Sequence, residues 1–172
     1  MHYPLHPETP PEGFSLASLL GDEEFEQSQQ QMRRLMAEEG LPYGHRTMTY
    51  NSRMAQELAL WAEWQPGGKR IHDALFRAYF ADSVNLADTQ LLLGIVEVMG
   101  LDVDDARDAL KSGRYAPMLD QHWAHARSSG IRGVPTFLVG ELGVVGAQPY
   151  DELEEFVLVA GAVQRDFDEE TG

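Results

Sequence analysis

The chain has 172 residues, 43% of them hydrophobic and 24% charged, a balance that fits one soluble globular domain with a sizeable core. Lys and Arg number 13 against 28 Asp and Glu, a formal net charge of −15, which argues against nucleic acid or an anionic membrane as partner. With no cysteine, the chain can form neither a disulfide scaffold nor a thiolate metal site.

From the N-terminus, Met1 to Gly13 carries Pro4, Pro7, Pro10 and Pro11, a density that excludes a helix and predicts an extended edge segment leading into a loop. His2 and His6 lie here without a third ligand at useful spacing, so a metal role is not the expectation. Ser15 to Glu39 reads as one helix with Phe25, Met32, Leu35 and Met36 as its apolar stripe, stopped by Gly40 and Pro42. Leu41 to Tyr50 reads as a loop. Asn51 or Thr49 can cap the next helix, which runs to about Trp64 with Met54, Leu58 and Trp61 on its buried face. Asn51-Ser52-Arg53 admits two readings, a helix cap with a surface arginine or a small anion site at a helix start.

Pro66-Gly67-Gly68 breaks the chain, and Lys69 to Phe80 follows as a helix with Ile71, Leu75, Phe76, Tyr79 and Phe80 apolar, a face read as core. Asp88 caps a helix whose Leu91, Leu92, Ile95, Val96 and Met99 form a clean apolar pattern up to Gly100. Asp102 caps another, with acids at 104 and 105 in its first turn, where the helix dipole favours them. Gly113 interrupts, and Tyr115 to Ser129 continues as helix. His122 and His125 lie three apart on one face of it, a spacing that can begin a metal site but is read here as an ordinary histidine pair.

The last third carries the strongest local signal, GIRGVPTFLVGELGVVGAQ at Gly130 to Gln148. Thr136 to Val139 is a short apolar run bounded by turn residues, hence a strand. Gly140 to Gly143 is the hairpin turn, Val144 and Val145 the return strand, and Pro149 the first position of a closing helix with Leu153, Phe156, Val157 and Ala160 inward. Pro135 sits at the strand start, where a missing N–H is tolerated; on pattern alone its peptide bond reads as trans. No stretch approaches the ~20 apolar residues that span a bilayer, and no basic-then-apolar leader is visible. A cytoplasmic location is the expectation.

Four stretches together resemble a known family: GVPTF with its GVVGAQPY hairpin and closing helix, YPLHPETPPEG at Tyr3 to Gly13, PYGHRTMTYNSRMAQELALWAE at Pro42 to Glu63, and HDALFRAYF at His72 to Phe80. They are similar to the DsbA-like thioredoxin fold, in its FrnE-like cytoplasmic branch. The resemblance implies an α/β, thioredoxin-like domain over 1–160 with a multi-helix insertion over about 15–129, followed by an acidic tail at 161–172. It implies that Tyr3 begins the family's second strand, so that the first strand, the first helix and the CxxC motif are missing from this chain. It further implies a cis bond at Val134-Pro135, with Gly133, Val134 and Pro135 docking extended peptide.

Without cysteine the chain cannot perform the family's dithiol–disulfide exchange, which needs an attacking thiolate. Three readings follow: a member of the oxidoreductase family that is redox-inactive as written or lacks its N-terminal segment; a non-catalytic module that binds a peptide or client protein in the proline groove; and a glutathione-dependent isomerase or transferase relative. No catalytic residue, metal or cofactor is expected within the chain. The expected partners are an extended peptide or substrate protein, or a second copy filling the missing strand. No nucleic acid and no membrane are expected.

Overall fold

The computed structural model describes residues 1–163, so of the tail expected over 161–172, residues 164–172 lie outside the described residues. The described chain is mixed α/β, with eight α-helices and two separate two-stranded sheets among these residues. It divides into two compact units, Met1–His125 and Ala126 onward.

In the first unit, residues 1–13 form no strand, against the expectation at Tyr3. Four prolines withhold the N–H groups a ladder needs, His6 takes a positive φ of 54°, and the segment's carbonyls go to side chains instead. The first strand is β1, Phe14–Ser15, paired antiparallel with β2, Met48–Thr49. The long helix expected over Ser15 to Glu39 is two: α1, Leu16–Leu20, capped by the Ser15 hydroxyl, and α2, Asp22–Glu38. Gly21 separates them at φ 87°, a left-handed value that a residue with a Cβ resists. Of the apolar stripe expected on α2 only Phe25 is buried; Met32 and Leu35 are exposed, and Gln29 takes the inner position one turn after Phe25.

The core is built around α3, Arg53–Ala62, whose Leu58, Ala59, Leu60, Trp61 and Ala62 are all buried. Trp64, expected at the end of that helix, lies beyond it and is exposed. A 3₁₀ turn at Gly68–Arg70 leads into α4, Ile71–Phe80, then come α5, Thr89–Val98, α6, Val103–Ser112, and α7, Ala116–Ser128. Ile71 and Leu75 of α4 join Leu92, Leu93 and Val96 of α5 and Ala106 and Ala109 of α6 against α3. The aromatic face expected on α4 is only partly inside, since Phe76 is exposed. On the other side of α3, Leu60 meets Leu119 and Trp123 of α7.

The caps of α5 and α6 follow the sequence. The Asp88 carboxylate accepts from the N–H groups of Gln90 and Leu91, and that of Asp102 from Asp104 and Asp105. Asp105 in turn accepts from the Trp61 indole at 2.7 Å and from Arg114 at 2.8 Å. Those two bonds hold its carboxyl below the usual range and tie α6 to the central helix.

The second unit holds the hairpin β3, Thr136–Val139, and β4, Leu142–Val145, followed by α8, Tyr150–Val159. The hairpin loop is Gly140-Glu141 alone, because Val139 pairs with Leu142; Leu142 and Gly143, expected in the turn, are strand residues. Pro149 stands one residue before α8 as its cap. Leu153, Phe156 and Ala160 are half-buried, while Val157, also expected inward, is exposed.

Candidate functional site

The hairpin is a sheet of two strands, and among the described residues β3 pairs with β4 alone. Register decides which way its backbone groups point. An antiparallel ladder alternates hydrogen-bonded and non-bonded pairs. The Gly146 N–H donates to the Pro135 carbonyl at 2.8 Å, so Pro135·Gly146 is a bonded pair. With Thr136 opposite Val145, the alternation makes Thr136·Val145 non-bonded, Phe137·Val144 bonded and Leu138·Gly143 non-bonded. Residues at non-bonded positions turn their N–H and C=O away from the partner strand. Thr136 and Leu138 therefore direct their donors and acceptors to the outer edge of β3, and Val134, two residues earlier, has the same parity. Pro135 falls on the inner parity, so its missing N–H leaves the outer edge intact.

The sequence-predicted residues lie together at the head of this edge. Gly133, Val134 and Pro135 form a bend just before β3, with the Val134–Pro135 bond cis and Val134 53% exposed. The bend is closed by the Thr136 hydroxyl donating to the Gly133 carbonyl at 2.8 Å, and the far end of β4 by the Gln148 amide donating to the Val145 carbonyl at 2.8 Å. Successive strand residues face opposite sides, yet Phe137 and Leu138 are 40% and 42% exposed, so both faces of the hairpin are open. The residues predicted from sequence end at Pro135. The period of two running on from Val134 is the signal that adds Thr136 and Leu138.

The other candidates separate. The cap position of α3 is Ser52, without a side-chain bond, and not Asn51 or Thr49; Asn51 closes the turn just before it, its carbonyl oxygen accepting from the Arg53 N–H at 2.9 Å while its amide donates to the Pro7 and Thr9 carbonyls. The anion-site reading of Asn51-Ser52-Arg53 fails, because the Arg53 guanidinium is already engaged. It meets Glu57 at 3.0 Å and Asp120 at 2.9 Å, and lies 4.9 Å from the Trp123 ring centroid. Glu57 is a buried carboxylate, 8% exposed, and burial raises its pKa against the opposing pull of Arg53. The Trp123 indole donates to Gln56 at 2.8 Å, completing a polar seam between α3 and α7 of which the sequence spacing announces only the Arg53–Glu57 pair, four residues apart on one helix.

Of the histidines, His6 pairs with Glu8 on the surface, and His2 stacks with His72 and His122. Among the described residues no group of three or more His, Asp or Glu side chains is arranged to hold a metal ion, and none of the helices is long and apolar enough to cross a membrane.

A family model described as a DSBA-like thioredoxin domain matches residues 1–157. Among curated proteins, the uncharacterized protein YwbO of Bacillus subtilis (strain 168) is 30% identical over 91 residues, 52% of this chain. The chain spans about half the length of that curated relative, 46%. Among solved structures, a probable DsbA oxidoreductase from Streptomyces coelicolor superposes with a TM-score of 0.79 at 24% identity, over 98% of this chain and 78% of that one. A 2-hydroxychromene-2-carboxylate isomerase superposes with a TM-score of 0.66 at 19% identity, over 80% and 66%. At these identities the two structures speak for the fold. The family match over nearly the whole described chain and the shared mixed α/β architecture lead to one conclusion: this cysteine-free chain belongs to the DSBA-like thioredoxin domain family, with its thioredoxin-like fold.

Proposed function

We propose that the chain is the client-docking part of a DsbA-like, FrnE-type cytoplasmic protein, and that an extended segment of a client adds as a strand along Val134, Thr136 and Leu138, entering at Gly133, Val134 and Pro135. The observation that carries this reading is the parity of the hairpin register, which leaves the outward N–H and C=O groups of β3 without a partner strand among the described residues, beside exposed apolar side chains. Main-chain bonds give such a site affinity for any extended backbone, and the side-chain surfaces on either face give it preference. No residue of this chain supplies a thiolate, so the chain by itself exchanges no disulfide.

Substitution at one outward N–H tests the reading. Thr136→Pro removes that donor without touching a bond to β4, and Thr136→Val keeps it while removing only the hydroxyl. Binding of an uncharged ten-residue extended peptide, followed by calorimetry, weakens about tenfold in Thr136→Pro, the value of one lost hydrogen bond with its orphaned partner, and is near wild type in Thr136→Val. Equal affinity in all three proteins contradicts the reading.

A second copy of the chain is the alternative client. The outer edge is self-complementary in antiparallel pairing about Thr136, with Val134 opposite Leu138 of the partner copy. Two chains of charge −15 repel, so a dimer formed in this way tightens as salt is added, which light scattering across a salt series reads directly. The glutathione-dependent isomerase reading rests on fold likeness alone and has no site residue to support it.

A further inference from the structure

Residues 1–13 lie along the first unit without regular structure, and what holds them there is unusual in its chemistry. Three side-chain amides donate to their backbone carbonyls. Gln56 reaches Tyr3 at 3.2 Å, Asn51 reaches Pro7 at 3.1 Å and Thr9 at 2.8 Å, and Asn85 reaches Pro11 at 3.0 Å. All are neutral and indifferent to pH. Thr9 is also buried, and His2 adds an anchor of a different chemistry. Its ring stacks on His122 of α7 at 5.6 Å between centroids, 16° from parallel, and on its other contact with His72 of α4 at 6.1 Å and 25°. Three imidazoles from three elements separated by up to 120 positions thus meet in one stack, and the His122 Nδ1 is buried with no hydrogen-bond partner.

We propose that this stack is a proton-operated latch: with His2 neutral it fastens the N-terminal segment to α4 and α7, and with His2 protonated it lets the segment go. The charged and titratable groups that face it are few. From α7 comes His122 and from α4 His72. Glu63, at the end of α3, lies 3.8 Å from His72 Nε2, and the His6–Glu8 pair is at the surface. Among the described residues no carboxylate is bonded to His2 to welcome a proton, so a charge there is desolvated and set against its like.

The sign follows. The His2 pKa is lowered from 6.5 to about 4, by burial first and then by the neighbouring imidazoles of His122 and His72. A base that holds its proton less tightly when docked than when free docks best neutral. Docking is therefore full above about pH 6.5 and weakens as pH falls toward 4, by at most about tenfold per pH unit and about 300-fold in all. Release frees the Tyr3 carbonyl from Gln56, the residue that also accepts from the Trp123 indole, so the latch opens onto the seam between α3 and α7.

Amide hydrogen exchange at Leu5 and Thr9, whose N–H groups bond to the Tyr3 and His6 carbonyls, reads the latch. Corrected for intrinsic rates, protection at these two positions falls about 20-fold between pH 7 and pH 5 in the wild-type chain. In His2→Phe, which keeps a flat ring and takes no proton, the fall is under threefold. A histidine NMR titration of the wild-type chain reads the same site independently, with His2 titrating well below 6. Protection that ignores pH, an undiminished fall in His2→Phe, or His2 titrating at 6.5 or above overturns the proposal. Should His2→Phe fail to dock at pH 7, the wild-type titration decides alone.

Discussion

Arg53 makes three contacts that its truncation removes together, and their sizes can be set from the structure. Asp120, the distal partner, has a side chain 59% exposed, so that pair contributes about 0.2–1 kcal/mol. The guanidinium over Trp123 adds about 0.5–1 kcal/mol. The largest contribution comes from Glu57, which Arg53→Ala leaves buried and unpaired. Breaking a fully buried pair costs about 3–5 kcal/mol, but a lone carboxyl limits the loss by taking up a proton. We expect Arg53→Ala to lose about 2–4 kcal/mol at pH 7. The pH dependence identifies the cause. Burial raises the folded Glu57 pKa, so its contribution to stability is present below the unfolded value and is lost as pH rises through the folded one. At pH 7 its charge is a burden that Arg53 offsets, and the loss in Arg53→Ala shrinks at pH 5. Urea unfolding followed by tryptophan fluorescence measures it, since Trp61, Trp64 and Trp123 all belong to the first unit. Adding Glu57→Gln to Arg53→Ala restores more than half of the loss. A loss under about 1 kcal/mol, equal losses at pH 5 and 7, or no rescue refutes the reasoning.

Two further substitutions test the frame around the central helix. A Cβ at Gly68 would stand 1.9 Å from the Ala62 carbonyl oxygen, a backbone atom that cannot step aside, so Gly68→Ala lowers unfolding stability by about 2 kcal/mol or more in the same urea assay. Asp88→Ala removes the acceptor for two N–H groups at the start of α5 and costs about 1 kcal/mol, whereas Asp88→Asn stays within a few tenths, as thermal midpoints will show.

Where local chemistry fixes an element, the sequence is readable. Asp88 and Asp102 each place an acceptor two and three residues before N–H groups that need one, and Gly100 and Gly113 take the left-handed φ that ends a helix. The hairpin is legible for the same reason, a short apolar run between glycines. What escapes depends on partners far along the chain. β1 and β2 are two residues each, too short for any periodicity, and exist because Phe14 finds Thr49. Tyr3 carries the promise of a strand, but its carbonyl is taken by the Gln56 side chain. Met32 and Leu35 keep helical spacing on α2 yet stay exposed, so spacing alone does not tell a buried stripe from an uncovered one. At the site, Gly133, Val134 and Pro135 stand out in the sequence, while the direction of the Thr136 and Leu138 backbone groups needs the register of Pro135 against Gly146. Apart from the Arg53–Glu57 spacing, the seam of Arg53, Glu57, Asp120 and Trp123 and the stack of His2, His72 and His122 join residues that no motif links.

The outward parity of β3 makes the central claim measurable residue by residue. Amide exchange should separate Phe137 and Val139, bonded to β4, from Thr136 and Leu138, which face the outer edge. We expect the first pair to be protected in the free chain and the second to exchange freely, then to slow by about tenfold or more when the uncharged extended peptide is added at saturation. Thr136 and Leu138 already protected in the monomeric free chain, or unchanged at saturating peptide, would contradict strand addition at this edge.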